Sequence, residues 1–168
     1  MKIQSAELLI PTRDGQFVAR YSEKGLAKLD FPSREALVAP KYCEDGHIPT
    51  KISRWHRATV AALKNVLVGR LPKKFPPLDL SNGTGFQQSV WRALQKISRG
   101  KTRSYGEIAR QIGKPRAVRA VGGACGANPI PIFVPCHRVL AANGKPGGFS
   151  GGLNWKRNLL AREGIVLR

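Results

Sequence analysis

The sequence predicts a small α/β unit over about residues 1–80, followed by a mainly α-helical unit with a winged helix-turn-helix over about 81–168. Three observations carry this division. The first third holds short runs of β-forming residues separated by turn residues. From Phe86 to Ala127 apolar residues recur at helical spacing. Between the two, Leu71 to Leu80 carries three prolines and reads as a linker.

In the first unit, Ala6–Ile10, Gln16–Tyr21 and Leu26–Phe31 read as strands of a meander, with turns at Asp14-Gly15 and at Ser22 to Gly25. Ala27, Leu29 and Phe31 alternate with Lys28 and Asp30, so one face of that strand meets water. Residues 32–50 are polar and irregular. Trp55, Thr59, Leu63, Val66 and Leu67 mark one face of a helix over about 52–68.

In the second unit, Phe86, Val90, Leu94 and Ile97 mark a helix that ends by Gly100. Ser104 to Glu107 fits the Ser-x-x-Glu capping box, which starts a helix through Ile108 and Ile112. Gly113-Lys114 makes a short turn, and Pro115 suits the first turn of a further helix that runs to about Gly126. Two short helices across a glycine-containing turn are the helix-turn-helix arrangement. The Gly-rich loop from Ala142 to Gly152 could form a wing. Trp155, Leu159 and Leu160 mark a final helix, stopped by Gly164.

Composition narrows the partner. The chain of 168 residues has a formal net charge of +19. Residues 1–80 hold 14 Lys and Arg against 8 Asp and Glu, and residues 81–168 hold 15 against 2. Such a surplus in a compact unit suits a polyanion, and no low-complexity basic tail accounts for it. No apolar run approaches the roughly 20 residues of a membrane span, and the first residues lack a signal-peptide pattern. Three widely spaced cysteines make no disulfide framework, which fits a reducing cytoplasm.

The helix after Gly113 is nearly without bulk: Ala117, Ala120, Gly122, Gly123, Ala124, Gly126 and Ala127. Glycines inside a helix cost about 1 kcal/mol each against alanine. Either this helix packs closely on a neighbour, or it approaches a nucleic-acid groove with Arg116 and Arg119 projecting. A smooth helix suits a narrow minor groove better than side-chain readout in the major groove.

Asn128 to Arg138 concentrates the chemistry. An apolar run bounded by prolines, Ile130 to Val134, leads to Pro135-Cys136-His137-Arg138. It reads as a short buried strand or tight segment that presents Cys136 in a positive field. A thiol becomes a strong nucleophile when cations and a nearby base stabilise its thiolate. Adjacent residues on a strand point opposite ways, so contact of Cys136 with His137 needs a turn at Pro135 or a bridging water. Glu163, the second of two acids in this half, has no capping role and should attract a histidine or arginine. The remaining candidates read as structural: Cys125 as packing, His56 at a helix border, Trp91 and Trp155 as core. Cys43 and His47 have the spacing of helical metal ligands, but three cysteines and three histidines are too few for a convincing zinc site.

The chain resembles the methylated-DNA-protein-cysteine methyltransferases. The matching pieces are Phe86 to Trp91, Thr102 to Tyr105, Arg119 to Ala124, the run from Asn128 through Pro135-Cys136-His137-Arg138-Val139, Phe149 to Gly152, and Leu159 to Gly164. Order and spacing hold from about 80 to about 165. The resemblance implies a ribonuclease-H-like N-terminal domain, structural in role, and a DNA-binding C-terminal domain.

The resemblance also implies a reaction. An alkyl group on the 6-oxygen of guanine, with 4-oxygen-alkylated thymine as a further substrate class, passes once and irreversibly to Cys136 after the nucleotide is flipped out of the duplex. Cysteine, water, histidine and glutamate would form a relay through Cys136, His137 and Glu163. Asn128 would hold the turn and Tyr105 would donate to the leaving base. Arg119 would fill the gap left by the flipped nucleotide, with Arg116, Ala120, Gly123 and Arg138 beside it on the DNA. Val139, Phe149 and Ser150 would line the pocket. At 149 many relatives have tyrosine, so Phe149 keeps a stacking wall and lacks a hydroxyl. The implied partner is duplex DNA carrying alkylated guanine, bound by a monomer in the cytoplasm (the nucleus in a eukaryote), with no cofactor and no membrane; some relatives carry a zinc in the N-terminal domain, but its ligands find no match in this sequence, and no metal is expected. A thiol hydrolase built on Cys136, His137 and Glu163, or a non-reactive binder of alkylated DNA, are the competing functions.

Overall fold

The computed structural model describes residues 6–33 and 48–167. Cys43 and His47 lie outside the described residues. The chain divides into two compact units, Met1–Leu80 and Ser81–Arg168. Each is built around its own core, so the architecture is mixed α/β with a helical C-terminal part.

In the first unit, β1 (Ala6–Thr12), β2 (Gly15–Tyr21) and β3 (Leu26–Asp30) form an antiparallel sheet in the order β1-β2-β3. Period-2 alternation places Ala6, Leu8 and Ile10 in the core. On the opposite face Glu7 sits across from Arg20 and pairs with it at 2.7 Å. Helix α1 (Thr50–Leu67) buries Ile52, Trp55, Thr59, Ala62, Leu63 and Leu67, the amphipathic stripe that the spacing predicts. The proline-rich segment is not a free linker at its end. Leu26 N–H donates to the Pro77 carbonyl at 2.8 Å and Asp79 N–H to the Leu26 carbonyl at 2.7 Å, which extends the edge of β3.

In the second unit, α2 (Gly85–Gln95) begins at a capping box that the sequence reading missed. Thr84 accepts from Gln87 N–H, and the Gln87 side chain accepts from Thr84 N–H. Such caps stabilise a helix by about 1 kcal/mol. Strand β4 (Arg103–Ser104) pairs in parallel with β5 (Val139–Leu140). Helix α3 (Tyr105–Gln111) starts at the expected Ser104–Glu107 box. Helix α4 (Val118–Gly126) starts three residues later than expected, because Pro115 and Arg116 belong to the connecting turn and Ala117 is the cap. Trp91 is core, as expected, and its Nε1–H donates to the Ala124 carbonyl at 2.8 Å, which locks α2 to α4.

Helix α5 (Leu153–Arg162) differs from the sequence reading in its buried face. Trp155 is only half-buried; Lys156, Leu159 and Leu160 face the core, and Glu163 caps the helix beside them. Loop 141–152 forms no strand pair. It turns at Ala141–Lys145, where Ala141 N–H donates to the Lys145 carbonyl. No helix among the described residues is long and apolar enough to cross a membrane.

Candidate active site

Asn128 organises the segment that ends at the thiol. Its Oδ1 accepts from Ile130 N–H at 3.0 Å. Its Nδ2 donates to the Val134 carbonyl at 2.7 Å and to Cys136 Sγ at 3.1 Å. The segment is therefore a closed turn rather than a strand, with Val134 N–H returning to the Ile130 carbonyl. Ile132 at its tip has φ 76°, a left-handed conformation that strains a β-branched residue. The surrounding bonds and the complete burial of Ile130 and Val134 hold it there.

Cys136 then opens a single 3-10 turn, Cys136–Arg138, directly after Pro135, which is the turn that the sequence reading held as one of its alternatives. It carries the cysteine and the histidine into the interior together, 4% and 0% exposed. His137 Nε2 lies 3.0 Å from Glu163 Oε1. Arg138 donates to the same carboxylate from Nε (3.0 Å to Oε2) and Nη2 (2.8 Å to Oε1), and from Nη1 to the Ile97 carbonyl at 2.6 Å. The Arg138 side chain is 14% exposed, and its donors turn to Glu163 and the Ile97 carbonyl.

The charges follow from these contacts. Burial would push the Glu163 carboxyl up, but bonds from His137 and Arg138, with the positive charge of Arg138, hold it at about 2. An ionised carboxylate only accepts hydrogen bonds, so His137 Nε2 carries the proton. Burial also lowers the basicity of His137, so the ring is neutral near pH 7. Its Nδ1 then presents a lone pair, and that buried nitrogen has no hydrogen-bond partner among the described residues.

The thiol itself departs from the sequence reading. Burial pushes the Cys136 thiol up, against the opposing effects of the Asn128 bond and the Lys156 charge. At rest the group is a thiol.

Lys156 is the residue that sequence reasoning missed. It is fully buried, and its Nζ donates to the Val139 carbonyl at 2.6 Å and to the Gly148 carbonyl at 3.3 Å. The available signal was its place three and four residues before Leu159 and Leu160, on the buried stripe of α5.

Tyr105, the first residue of α3, is half-buried, and its hydroxyl lies against Gly147 and bonds the Gly148 backbone. Burial first, and then the neighbouring thiols, raise its pKa, so the phenol stays a donor. The Phe149 ring meets His137 edge-on, with centroids 6.5 Å apart. Val139 is buried while Ser150, on the same loop as Phe149, is exposed. Cys125 is buried within α4, as a packing residue would be.

The bare face of α4 is not a packing face. A Cβ added at Gly123 or Gly126 would meet nothing within 4 Å, and one at Gly122 would only reach ordinary contact with Tyr105. Arg116, Arg119, Ala120 and Gly123 are all exposed. Internal packing therefore does not require the glycines, and the smoothness faces outward.

The chain is similar to known proteins along most of its length. A family profile described as 6-O-methylguanine DNA methyltransferase, DNA binding domain, matches residues 85–165. A methylated-DNA–protein-cysteine methyltransferase of Mycolicibacterium paratuberculosis is 54% identical over 114 residues, 68% of each chain. One from Methanosarcina barkeri is 41% identical over 95% of this chain and 98% of its own. The crystal structure of Mycobacterium tuberculosis OGT in complex with DNA superposes with a TM-score of 0.71 at 40% identity, covering 92% of this chain and 90% of that one. With relatives this similar along nearly the whole chain, and with a buried cysteine, histidine and glutamate gathered in the matched half, the chain belongs to the methylated-DNA–protein-cysteine methyltransferases, enzymes that repair DNA by transferring an alkyl group to a protein cysteine.

Proposed function

We propose that Cys136 accepts the alkyl group from 6-O-alkylguanine in duplex DNA, once per protein molecule, after the nucleotide has been flipped out of the stack. The observation that carries this reading is the polarised line from Arg138 through Glu163 to His137, which ends in an unpartnered Nδ1 lone pair next to the thiol in sequence. Through one water, that lone pair takes the thiol proton. Sγ then attacks the alkyl carbon in line. The new S–C bond forms as the C–O bond breaks, and its electrons pass to the purine. The Tyr105 phenol supplies hydrogen to the leaving base. The product is a thioether, which water does not cleave, so the protein turns over once. Alkylated thymine presents the same carbon–oxygen bond and is a second substrate class.

The target carbon is hidden in a stacked duplex, and flipping exposes it. We read α3, the 112–117 turn and α4 as the helix-turn-helix, loop 141–152 as its wing, and α4 as the element in the minor groove. Its open glycines permit close approach and the exposed Arg119 replaces the lost nucleotide, with Arg116 on phosphate. The three-stranded sheet and helix of the first unit fit a reduced ribonuclease-H-like arrangement with a supporting role. Every proposed site residue comes from one chain, so a monomer suffices. A free thiol acceptor also needs a reducing compartment, the cytoplasm.

Intact mass and peptide mapping after incubation with an excess of alkylated duplex test the reading. One alkyl addition, on Cys136 alone and with no further turnover, is expected. Repeated turnover would indicate a hydrolase, and binding without added mass a non-reactive reader of damage. Arg119→Ala should slow repair in duplex far more than dealkylation of the free modified base. Equal slowing on both substrates would remove Arg119 from the flipping step.

A further inference from the structure

The first unit holds a feature that alkyl transfer does not use. Half of its 14 Lys and Arg fall in one stretch that holds no acid. From Thr50 through Pro77 the sequence has seven Lys and Arg and no Asp or Glu. The acids of the sheet are largely engaged locally. Glu7 pairs with Arg20, Asp30 with Arg20 and Lys28, and Asp79 accepts from Ser22 Oγ. The charge of α1 and of the segment after it is left without compensation from these groups.

Part of that charge lines a cleft. The β1–β2 turn and the carboxyl end of α1 enclose about 740 Å³, with Arg13, Lys64 and Arg70 on its walls. No ion pair among the described residues involves any of the three. Thr12 and Asn65 add neutral polar groups, and Asp14 is the one carboxylate. The turn is pre-formed, since Thr12 Oγ1 donates to the Gly15 carbonyl at 2.7 Å and accepts from Asp14 N–H at 3.2 Å. The carbonyl end of α1 disfavours an anion, and three cations against one carboxylate outweigh it. Three exposed cations bordering one hollow raise the local positive potential, which attracts an anion.

We propose that this cleft is a second phosphate-binding surface, which takes the backbone of duplex DNA and gives the first unit a direct part in DNA affinity. The source of the phosphate is argued from reach. Arg54 and Arg57, on the exposed face of the same helix, and Lys73 and Lys74 beyond it extend the cationic surface past the size of a single anion. An extended polyanion uses all of it, and a free phosphate uses only the cleft. Contacts of this kind position a duplex without reading its sequence.

The inference rests on duplex DNA being the partner. The test compares the full-length wild type with the triple variant Arg13→Ser, Lys64→Ser, Arg70→Ser. Affinity for an unmodified duplex is titrated from low to high salt. Each lost phosphate contact should reduce the slope of log affinity against log salt by about 0.9. A reduction of about 2 to 3 is expected, with the dissociation constant at low salt raised about tenfold or more. Transfer from the free alkylated base to Cys136 should be unchanged, which shows that the variant is folded. A variant that binds with unchanged slope and affinity overturns the cleft and leaves the partner standing. A wild type that binds no duplex overturns the partner itself. Inorganic phosphate saturating the cleft at low millimolar concentration, with duplex binding indifferent to the three substitutions, assigns the cleft to a free anion and overturns the DNA source.

Discussion

Glu163 Oε1 lies 3.0 Å from His137 Nε2, and the two residues are 26 apart in sequence. The contact orients the imidazole and fixes its tautomer, and the Arg138 fork keeps the carboxylate ionised. Two consequences can be measured. The folded carboxyl sits at about 2 against an ordinary 4.5. A depressed folded value stabilises the fold fully above pH 4.5, and that contribution is lost as pH falls from there towards 2. Glu163→Gln should therefore cost at most about 3 kcal/mol near neutral pH, less what solvent screening removes, and the gap to wild type should close in acid. Denaturant titrations at a series of pH values follow it. The variant also withdraws charge from behind His137 and makes Nδ1 a weaker base, so the rate of transfer from free base should shift to higher pH. A parallel pH profile would show that Glu163 serves the fold alone.

Asn128→Ala should be among the most damaging single changes in this unit. It leaves the buried Ile130 N–H without its 3.0 Å partner and takes one of two donors from the Val134 carbonyl, which keeps Cys136 N–H at 2.8 Å. An unsatisfied buried group costs about 1–3 kcal/mol. The melting temperature should fall by about 4–8 °C per kcal/mol. The strained Ile132 turn loses its staple as well, so transfer should slow in the fraction that remains folded. Calorimetry together with a single-turnover assay separates the two effects. Unchanged melting would contradict the stapling role.

What the sequence made legible was local. The strands, the Ser104 capping box and the stripe of α1 follow from spacing and turn chemistry, which act over a few residues. The motif around Cys136 was legible as chemistry, but its geometry was not. A proline-bounded apolar run does not reveal that the Asn128 side chain closes it into a turn or that a 3-10 turn carries Cys136 inward. Nothing near Arg138 in sequence announces that it meets Glu163 and the Ile97 carbonyl, contacts made only through tertiary packing. Lys156 was missed for the same reason. Lysine is almost never fully buried, and nothing near it in sequence announces the Val139 and Gly148 carbonyls that accept its protons. The bare face of α4 was ambiguous until the space around each glycine could be measured.

Gly147→Ala should tighten the site around Tyr105. A Cβ there would stand 2.7 Å from the phenol oxygen, and the backbone is at φ +66°, which L side chains rarely adopt. The loop has to shift or Tyr105 has to move. Transfer from the free base is expected to slow about tenfold or more, since a small misplacement of a reacting group can cost up to about 10²-fold. Removing the hydroxyl with Tyr105→Phe in the same protein should recover part of the lost stability, although not the donor role proposed for the phenol. A double-mutant cycle with no coupling between the two positions would rule out this contact as the cause.

Lys156→Met tests whether the buried ammonium acts on the thiol or only on the fold. Methionine matches the length of the chain and removes the charge. The Val139 and Gly148 carbonyls lose their donor, so stability should fall by about 1–3 kcal/mol. The electrostatic consequence has its own sign. Burial pushes the Cys136 thiol up, and the Lys156 charge is among the influences that bring it down. Without that charge the thiol should ionise at still higher pH. The rate of Cys136 alkylation by iodoacetamide, followed against pH, should move upward, and transfer from the free base should slow most near neutral pH and recover partly in alkali. Lys156→Arg keeps the charge but overfills a site in which the lysine is fully buried. It should lower stability while leaving the midpoint near that of wild type. A melting change in Lys156→Met with no movement of the pH midpoint would reduce Lys156 to a clamp between β5 and the 141–152 loop.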